Sequence, residues 1–420
     1  MRKQTKLVAV LSTAALLAIG ASMTSFAATG WAEEDGTWVY YNRDGERATD
    51  QWKKSGNNWY WLDSNGEMAI DQLIEDGDNY YYVDINGVMA ANQWVAIDNE
   101  DAGQDDEPDH YWYYFQANGK ALKNGDNSKV ALKTVNGKKY AFDDEGRMLF
   151  GWVAADNAER IDNTDGDGFK EGDYYFGGED DGAMTVGWLQ MDITYDEATS
   201  DYEIAPVFND DEDQTRWFYF KSNGKKVKAE NGDSQKSKTI NGKKYEFDQY
   251  GAMTAEWSLD VDTASTNGLR GDNATATHSV SAQYAKQWRY FQDVENGARV
   301  SKGWFKVVSA EYLNYDKYND DEDAWYYADG SGNLYAGQFK TIKGKKYAFR
   351  NDGRMIDGLK FIQMDRYNNI TGVIADDHDT NPFDTEDDFD KNSVYWSDLG
   401  YRCYYFGGGD DGVMRTNKTS

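Results

Sequence analysis

Residues 58–73 read NWYWLDSNGEMAIDQL: an aromatic run, a polar step that ends in Gly66, and a short stretch that carries Met68. The same order occurs at 37–52 (TWVYYNRDGERATDQW) and at 79–94 (NYYYVDINGVMAANQW). Alternating aromatic and polar residues suit a pleated strand, and a polar step with glycine suits a tight turn. Each segment therefore predicts a β-hairpin made of the aromatic run, the turn glycine and the stretch with methionine.

Twelve related segments of this kind follow one another between residues 31 and 416. Seven of the eleven methionines lie two residues after a turn glycine: Met68, Met89, Met148, Met184, Met253, Met355 and Met414. An isolated hairpin is not stable, but hairpins stacked in series bury a continuous core. We therefore expect an all-β fold, an elongated β-solenoid of about twelve stacked hairpins, with these methionines as fillers between hairpins.

A longer repeat overlies the hairpins, because NGKKY at 136–140 returns at 241–245 and as KGKKY at 343–347. Each copy belongs to a triplet: a WYYF-type hairpin, a GKKYxF hairpin and a further tyrosine-rich hairpin. The predicted organisation is a signal peptide (1–27), three N-terminal hairpins (28–109) and three superunits (110–215, 216–323 and 324–420). Acidic insertions separate the hairpins, and they are expected to be solvated loops too polar to build a core. They cover residues 98–110, 192–215, 258–286, 311–323 and 360–402.

Composition excludes several classes of protein. The formal net charge of -30 disfavours binding to nucleic acid or to anionic membrane surfaces, since both need a basic footprint. The single cysteine, Cys403, rules out an intramolecular disulfide, and three scattered histidines rule out a His-rich or Cys-rich zinc site. The 18 Phe, 15 Trp and 31 Tyr distinguish the chain from a disordered acidic polymer.

The first 27 residues have the pattern of a secretory signal peptide. Basic residues precede an apolar run from Leu7 to Ile19, and Ser25, Phe26 and Ala27 form a cleavage pattern of small residues. We expect cleavage after Ala27 and export of the protein. The apolar run is too short for a membrane span, and no other stretch approaches 18 apolar residues.

The segments at 37–52 and 58–73 resemble the cell-wall-binding repeats, also called choline-binding repeats, of exported Gram-positive surface proteins. The GKKYAFDDEGRM units are similar to the related repeats of glucan-binding proteins and clostridial toxins. The resemblance implies non-covalent attachment to cell-wall teichoic acid or polysaccharide. Members of this superfamily bind choline, glucans or host carbohydrate, so the ligand stays open.

The resemblance also implies where a ligand would lie. In the family, the Trp that ends one repeat and the first aromatic residues of the next two hairpins surround a quaternary ammonium, which aromatic faces attract. Trp31, Trp38 and Trp59 fit this spacing, as do Trp52, Trp59 and Tyr80, whereas Leu73 replaces the terminal Trp of its repeat. Further candidates are separated by insertions in the pairs Trp94 and Trp112, Trp188 and Trp217, and Trp304 and Trp325.

Lysine replaces the first aromatic residue in three hairpins. Lys139, Lys244 and Lys346 stand where Trp59 stands in its own hairpin, and a lysine there would repel a bound cation. Core packing is the alternative interpretation of most of the rings, because aromatic ladders stabilise neighbouring strands by themselves.

One acidic insertion suggests calcium. Asn163, Asp165 and Asp167 match the first half of an oxygen-ligand loop and Glu171 follows. The match is partial, because Tyr174 stands where a bidentate Glu is expected. Solvated loops that bind no ion are the alternative.

No catalytic motif is present in the sequence, which has neither GxSxG nor HExxH. We therefore expect a binding protein and not an enzyme, with choline-type cell-wall ligands as one hypothesis. Glucan or host carbohydrate is the second hypothesis. A structural spacer that projects acidic loops, with no specific small ligand, is the third.

Overall fold

The computed structural model describes residues 29–126, 128–193, 214–233, 235–259, 280–374, 383 and 385–416. The predicted signal peptide and large parts of two insertions lie outside the described residues. The chain divides into two compact units. Unit 1 comprises the residues up to Val95 together with Tyr114–Ala121, and unit 2 comprises Ala96–Tyr113 and the chain from Leu122 onward.

Among the described residues, 25 of the 29 secondary-structure elements are strands, which confirms the all-β prediction. The strands are β1 (Gly30–Glu34), β2 (Thr37–Tyr41), β3 (Gln51–Ser55), β4 (Asn58–Leu62), β5 (Gln72–Asp76), β6 (Asn79–Val83), β7 (Gln93–Asp98), β8 (His110–Phe115), β9 (Lys133–Val135), β10 (Lys138–Tyr140), β11 (Trp152–Val153), β12 (Tyr174–Tyr175), β13 (Gly187–Ile193), β14 (Gln214–Phe220), β15 (Lys236–Ile240), β16 (Lys243–Phe247), β17 (Trp257–Leu259), β18 (Trp288–Tyr290), β19 (Gly303–Val308), β20 (Asp323–Ala328), β21 (Gln338–Ile342), β22 (Lys345–Phe349), β23 (Leu359–Met364), β24 (Ile370–Ile374) and β25 (Arg402–Tyr405). The helices are α1 (Gly168–Glu171), α2 (Ala282–Ala285), α3 (Tyr315–Asn319) and α4 (Glu386–Asp398).

Consecutive strands pair as antiparallel hairpins, and the described residues form eleven two-stranded sheets and one sheet in the order β24-β23-β25. The predicted strand order within a hairpin was wrong. The aromatic run is the second strand of its hairpin, and the first strand is the segment before it: β3 pairs with β4 so that Trp52 lies opposite Trp61. In six of the hairpins a two-residue turn joins the strands, as at Asn136 and Gly137, whose φ angles are 49° and 82°. Left-handed angles at both positions suit the right-handed twist of a hairpin.

The stretch with methionine makes one bridge in place of the predicted strand, as Met68 does with Leu62. Asp63 causes this, because its carboxylate accepts the backbone N–H groups of Asn65 and Glu67, each at 2.9 Å, and closes a turn. The N–H of Met68 then donates to the carbonyl oxygen of Trp38 in the preceding hairpin at 2.8 Å. The residue after the turn therefore connects two hairpins.

This connecting hydrogen bond recurs along both units at 2.7–2.9 Å. The N–H donors and their carbonyl acceptors in unit 1 are Met89 and Trp59, and Ala121 and Tyr80. Those in unit 2 are Met148 and Trp112, Met184 and Lys139, Lys226 and Asp173, Met253 and Trp217, Arg299 and Lys244, Met355 and Trp325, and Met414 and Lys346.

The methionine side chain packs beneath the turn glycine of the next hairpin. A Cβ atom added to Gly87 would come within 2.9 Å of Met68 Cε. Met89 lies in the same way against Gly119, and Met355 against Gly412. The combination of glycine and methionine at this spacing therefore sets the distance between successive hairpins, as expected for a filler residue.

Each unit has its own aromatic core. In unit 1, Trp61, Ile74, Tyr81 and Val83 form one buried cluster. Unit 2 contains several clusters, the largest of which surrounds Trp257 and Trp288.

The last insertion, at 360–402, is not simply a solvated loop, as the sequence analysis expected. It forms β23, β24 and the 13-residue helix α4, whose N-cap residue Thr385 accepts the N–H of Asp388 at 3.1 Å. The rings of Phe361 and Phe383 stack with centroids 4.7 Å apart. This insertion escaped prediction because its many acidic residues indicated a solvated loop, yet two of its aromatic rings pack face to face. None of the described helices is long and apolar enough to cross a membrane.

Candidate ligand-binding sites

The first aromatic cluster of unit 1 is centred on the half-buried Trp31. Its ring meets the ring of Tyr40, directly opposite on β2, edge-on at 5.4 Å. It also meets Tyr60 of the next hairpin edge-on at 5.4 Å. Edge-to-face contacts of this kind stabilise the pair beyond the burial of area.

The second cluster repeats this arrangement one hairpin later. Trp52 contacts Trp61 of its own hairpin at 5.2 Å and Tyr81 of the next hairpin at 5.0 Å. The indole N–H of Trp52 donates to Asp76 Oδ2 at 3.2 Å. Tyr81 is buried, and burial, followed by the nearby charge of Asp76, raises the pKa of its hydroxyl. Trp52 is half-buried, so part of the indole remains accessible above two buried rings.

The first aromatic residues of the strands lie nearer the hairpin tips. The register places Trp38 opposite Glu33, Trp59 opposite Lys54 and Tyr80 opposite Glu75. Trp59 is 40% exposed, and the ammonium of Lys54 lies 5.8 Å from its ring centroid.

Trp31 and Trp52 thus contact other aromatic residues than the spacing suggested. In its own hairpin, each of these tryptophans contacts the ring two residues after the first aromatic residue of the second strand. In the next hairpin, it contacts the ring one residue after the first aromatic residue. For this reason the spacing did not predict that Tyr40, Tyr60, Trp61 and Tyr81 contact these tryptophans. The two-residue turns were the available signal, because they fix which residues lie opposite each other.

In unit 2 the same clusters form around Trp188 and Trp304. Trp188 contacts Trp217 at 6.2 Å, and Tyr219 and Tyr245 at 5.0 Å each. The structure thus brings Trp188 and Trp217 together, as the spacing suggested.

Trp304 makes the equivalent contacts further along unit 2. It meets Trp325 at 6.3 Å, Tyr327 at 5.2 Å and Tyr347 at 4.8 Å. The two tryptophans of each pair lie on the two paired strands of one hairpin.

Trp94 and Trp112 belong to different units. Within unit 1, the ring of Trp94 packs edge-on against Tyr114 at 5.1 Å. Within unit 2, the indole N–H of Trp112 donates to Asp180 Oδ1 at 3.0 Å.

The bond of Trp112 has two counterparts further along unit 2. Trp217 donates its indole N–H to Glu295 Oε2 at 3.2 Å, and Trp325 donates to Asp410 Oδ1 at 2.8 Å. A third side chain contacts each carboxylate: His110 Nε2 at 3.0 Å, Gln190 Nε2 at 3.1 Å and Lys306 Nζ at 3.0 Å, respectively. We call these three sets the indole–carboxylate clusters.

Two of these bonds favour the ionised form of the carboxylate that accepts them. The indole N–H of Trp112 is the largest cause that lowers the pKa of Asp180, and Trp325 has the same effect on Asp410. The first and third clusters therefore present a negative charge beside an aromatic ring, which can attract a cation. In the third cluster, the ammonium of Lys306 already occupies this position.

The lysines of the GKKYxF hairpins are exposed. Lys139, Lys244 and Lys346 each lie opposite a threonine in their hairpins, namely Thr134, Thr239 and Thr341. The ammonium of Lys346 lies 5.3 Å from the ring centroid of Phe339. An ammonium close to an aromatic ring competes with any other cation for that face.

The loop considered for calcium is organised by protein contacts. Asn163 Oδ1 accepts the N–H of Gly168 at 2.9 Å at the start of α1. Asp165, Asp167 and Glu171 line a cavity of about 580 Å³. Calcium binding by Asn163, Asp165, Asp167 and Glu171 stays a prediction. Among the described residues, a different set brings three His, Cys, Asp or Glu ligand atoms within 4.8 Å of one another: His110, Glu179 and Asp180.

The hairpins of unit 1 match a known protein family. Two overlapping matches cover residues 28–72 and 51–94. These residues match the choline-binding repeat. The resemblance inferred from the sequence is thereby confirmed. The choline-binding repeats contain the clusters of Trp31 and Trp52 and the exposed Trp59.

Relatives of known function or structure are more distant. Glucosyltransferase-S of Streptococcus mutans is 24% identical over 283 residues, which is 60% of this chain but 16% of that protein. Choline-binding protein F of Streptococcus pneumoniae is 17% identical, with 92% of this chain and 98% of that chain covered and a TM-score of 0.34. The modular autolysin LytC of Streptococcus pneumoniae is 18% identical, with 81% of this chain and 56% of that chain covered and a TM-score of 0.39. The chain therefore spans only part of the glucosyltransferase and of the autolysin.

Proposed function

We propose that this chain is a secreted, surface-associated binding protein that attaches to choline-type groups of a Gram-positive cell-wall polymer. The observation that carries the proposal is the set of half-buried and exposed tryptophans, Trp31, Trp38, Trp52 and Trp59, within residues that match the choline-binding repeat. In this proposal the chain has no catalytic activity of its own.

The energetics favour many weak sites. A quaternary ammonium on an aromatic face gains about 0.5 to 2 kcal/mol, so a site of two or three rings binds at about millimolar concentration. Repeated sites on one chain raise the effective concentration and make retention on a polymer efficient. We further propose that the hairpins of each unit stack in series as a β-solenoid, grouped as 28–109, 110–215, 216–323 and 324–420. The hydrogen bonds from one hairpin to the preceding one support this arrangement.

Binding to cell walls that carry choline tests the proposal. The mature chain should be retained, and free choline should release it and change its tryptophan fluorescence. The double variant Trp52→Ala and Trp59→Ala should lose most of this retention. Tyr395→Ala is the matched control, because Tyr395 is 57% exposed on α4, outside the aromatic clusters. Normal retention of the double variant would contradict the proposal and favour a structural spacer.

Carbohydrate binding on the same rings is the second candidate. The ammonium of Lys54 beside Trp59 favours it locally, because a positive charge there repels a quaternary ammonium but not a neutral sugar. The similarity to a glucosyltransferase points in the same direction. Release by soluble glucan, and not by choline, would establish this alternative.

A further inference from the structure

The first indole–carboxylate cluster contains two side chains that the other clusters lack. His110, at the start of β8, and Glu179 and Asp180, in the turn after β12, place one ligand atom each within 4.8 Å of the others. All three belong to unit 2. The hydrogen bond from Trp112 explains the position of Asp180, but it does not explain why His110 and Glu179 lie close to it.

Comparison of the three superunits isolates this difference. A carboxylate that accepts the indole N–H is present in every cluster, as Asp180, Glu295 and Asp410. The side chain that contacts the carboxylate in place of His110 is Gln190 in the second cluster and Lys306 in the third, both from the strand opposite the tryptophan. The residue before the carboxylate is Glu179 in the first, but Val294 and Gly409 in the other two. Only the first cluster therefore combines an imidazole with two carboxylates.

The distances suit a metal ion. His110 Nε2 and Asp180 Oδ1 are 3.0 Å apart. An ion about 2.1 Å from each atom, the usual length for nitrogen and oxygen ligands, would see them at an angle of about 90°. Such an ion would replace the direct hydrogen bond without separating β8 from the turn.

The surroundings hold the ligands in place. The ring of His110 packs edge-on against Trp112 at 5.6 Å, and the indole N–H of Trp112 fixes one oxygen of Asp180. The backbone N–H of Asp181 closes the turn by donating to the carbonyl of Gly178 at 3.0 Å. Hydrogen bonds that orient ligands in this way strengthen metal sites.

We propose that His110, Glu179 and Asp180 bind a divalent transition-metal ion of the zinc type, with water completing the coordination. An imidazole ligand favours zinc, cobalt or nickel over calcium and magnesium, which prefer oxygen ligands alone. The ion would cross-link β8 to a turn 70 residues further along the chain. The site is independent of the tryptophans proposed to bind choline in unit 1.

Titration of the untagged mature chain with Co²⁺ and Zn²⁺ tests this proposal. Millimolar Ca²⁺ and Mg²⁺ in the buffer saturate sites made of oxygen ligands alone. Co²⁺ should produce visible absorption bands with a stoichiometry of one, Zn²⁺ should displace it, and calorimetry should give the Zn²⁺ affinity. His110→Gln, and Glu179→Val, which introduces the residue of the second cluster, should each weaken binding at least about tenfold.

Glu179→Val introduces a residue that the second cluster already accommodates as Val294, and circular dichroism checks that both variants fold. His378→Gln is the matched control and should bind like the wild type. Unchanged affinity in His110→Gln would overturn the proposal. Loss of binding in His378→Gln alone, or equal competition by Ca²⁺, would also overturn it.

Discussion

Trp325 donates its indole N–H to Oδ1 of Asp410, 85 residues further along the chain, at 2.8 Å. Trp325 lies on β20 and Asp410 in the turn after β25, and the hairpin of Lys346 lies between them in sequence. Trp112 and Asp180 repeat the relationship at 3.0 Å. An indole–carboxylate bond therefore ties each WYYF-type hairpin to the turn of the hairpin two positions later.

Replacing Trp325 by Phe removes this donor and should make unfolding easier at neutral pH. The indole N–H is the largest cause that lowers the pKa of Asp410 below its ordinary value of 3.8, followed by Lys306. Because the folded pKa is depressed, the stabilisation is present above pH 3.8 and lost as the pH falls through the folded value. The urea midpoints of Trp325→Phe and wild type should therefore differ at pH 7 and converge below pH 4. A constant difference down to pH 2 would contradict this cause, and Trp59→Phe serves as the control.

Local repetition made much of the fold predictable. Gly66 and Met68 recur at one spacing, so the number and type of the repeats could be inferred without any contact between distant residues. The sequence did not show that the aromatic run pairs with the segment before it, because the glycine after each aromatic run also has the pattern of a hairpin turn. The true turns, such as Asn136 and Gly137, precede the aromatic run and were part of the NGKKY motif.

The candidate sites were less predictable than the fold. Trp52 was expected beside Trp59, but a shift of two residues along β4 places it opposite Trp61. His110 and Asp180 are in contact although they lie 70 positions apart in the sequence. His110 ends the insertion at 98–110, whose sequence differs from those of the other insertions. A repeat pattern carries no information about such a contact, so scattered histidines in the sequence did not predict a cluster.

Gly87→Ala should destabilise unit 1 more than Gly77→Ala. Both glycines have left-handed φ angles, 77° and 59°, so both variants carry backbone strain of about 1 to 2 kcal/mol. A Cβ atom at Gly77 meets open space, but at Gly87 it meets Met68 Cε at 2.9 Å. The free energy of unfolding, measured with urea, should show the additional loss at Gly87. Adding Met68→Ala should relieve the clash, and an equal loss in the two glycine variants would show that Met68 yields freely.

Asp143→Asn should stabilise the protein at neutral pH. Burial raises the pKa of Asp143 to about 6, so the folded chain binds a proton that the unfolded chain has released between pH 4 and 6. Stability from this carboxyl is full below pH 4 and is lost as the pH rises through 6. Asparagine keeps an oxygen for the N–H groups of Glu145 and Arg147 without the buried charge. We expect a gain of about 1 to 2 kcal/mol at pH 7 and little at pH 4.

Urea unfolding at the two pH values measures this gain. Asp63→Asn is the control, because Asp63 accepts two backbone N–H groups at the equivalent turn position in unit 1. An equal gain from Asp143→Asn at pH 4 and pH 7 would exclude ionisation as the cause.

Lys54→Gln should strengthen the binding of choline to unit 1. The ammonium of Lys54 lies 5.8 Å from the ring centroid of Trp59 and competes with a ligand cation for that face. We expect an affinity gain of about two- to fivefold, equivalent to about 0.5 to 1 kcal/mol. Tryptophan fluorescence during choline titration measures it, with the exposed Lys138 changed to Gln as the control. A weaker response to choline would mean that Lys54 supports the ligand, as expected for a neutral or acidic glycan.

Lys226→Met should stabilise unit 2, because it restores the residue that most hairpins have at this position. Lys226 lies two residues after the turn glycine Gly224, and its side chain packs beneath Gly251 where other hairpins place methionine. Its ammonium contacts the carbonyl oxygen of Phe169 and lies 4.9 Å from the ring centroid of Trp152. Burial, followed by repulsion from Lys228, lowers its pKa to about 7.

The pH dependence of this gain identifies its cause. Between pH 7 and 10.5 the unfolded chain holds a proton on Lys226 that the folded chain has lost, so wild-type stability rises with pH across this window. The gain from Lys226→Met should therefore be about 1 to 4 kcal/mol at pH 7 and should shrink towards pH 10. Urea unfolding at pH 7 and pH 10 measures it, with the exposed neighbour Lys225 changed to Met as the control. If Lys226→Met destabilises the protein at pH 7, the contacts with Phe169 and Trp152 outweigh the cost of burying the ammonium, and lysine at this position stabilises the repeat.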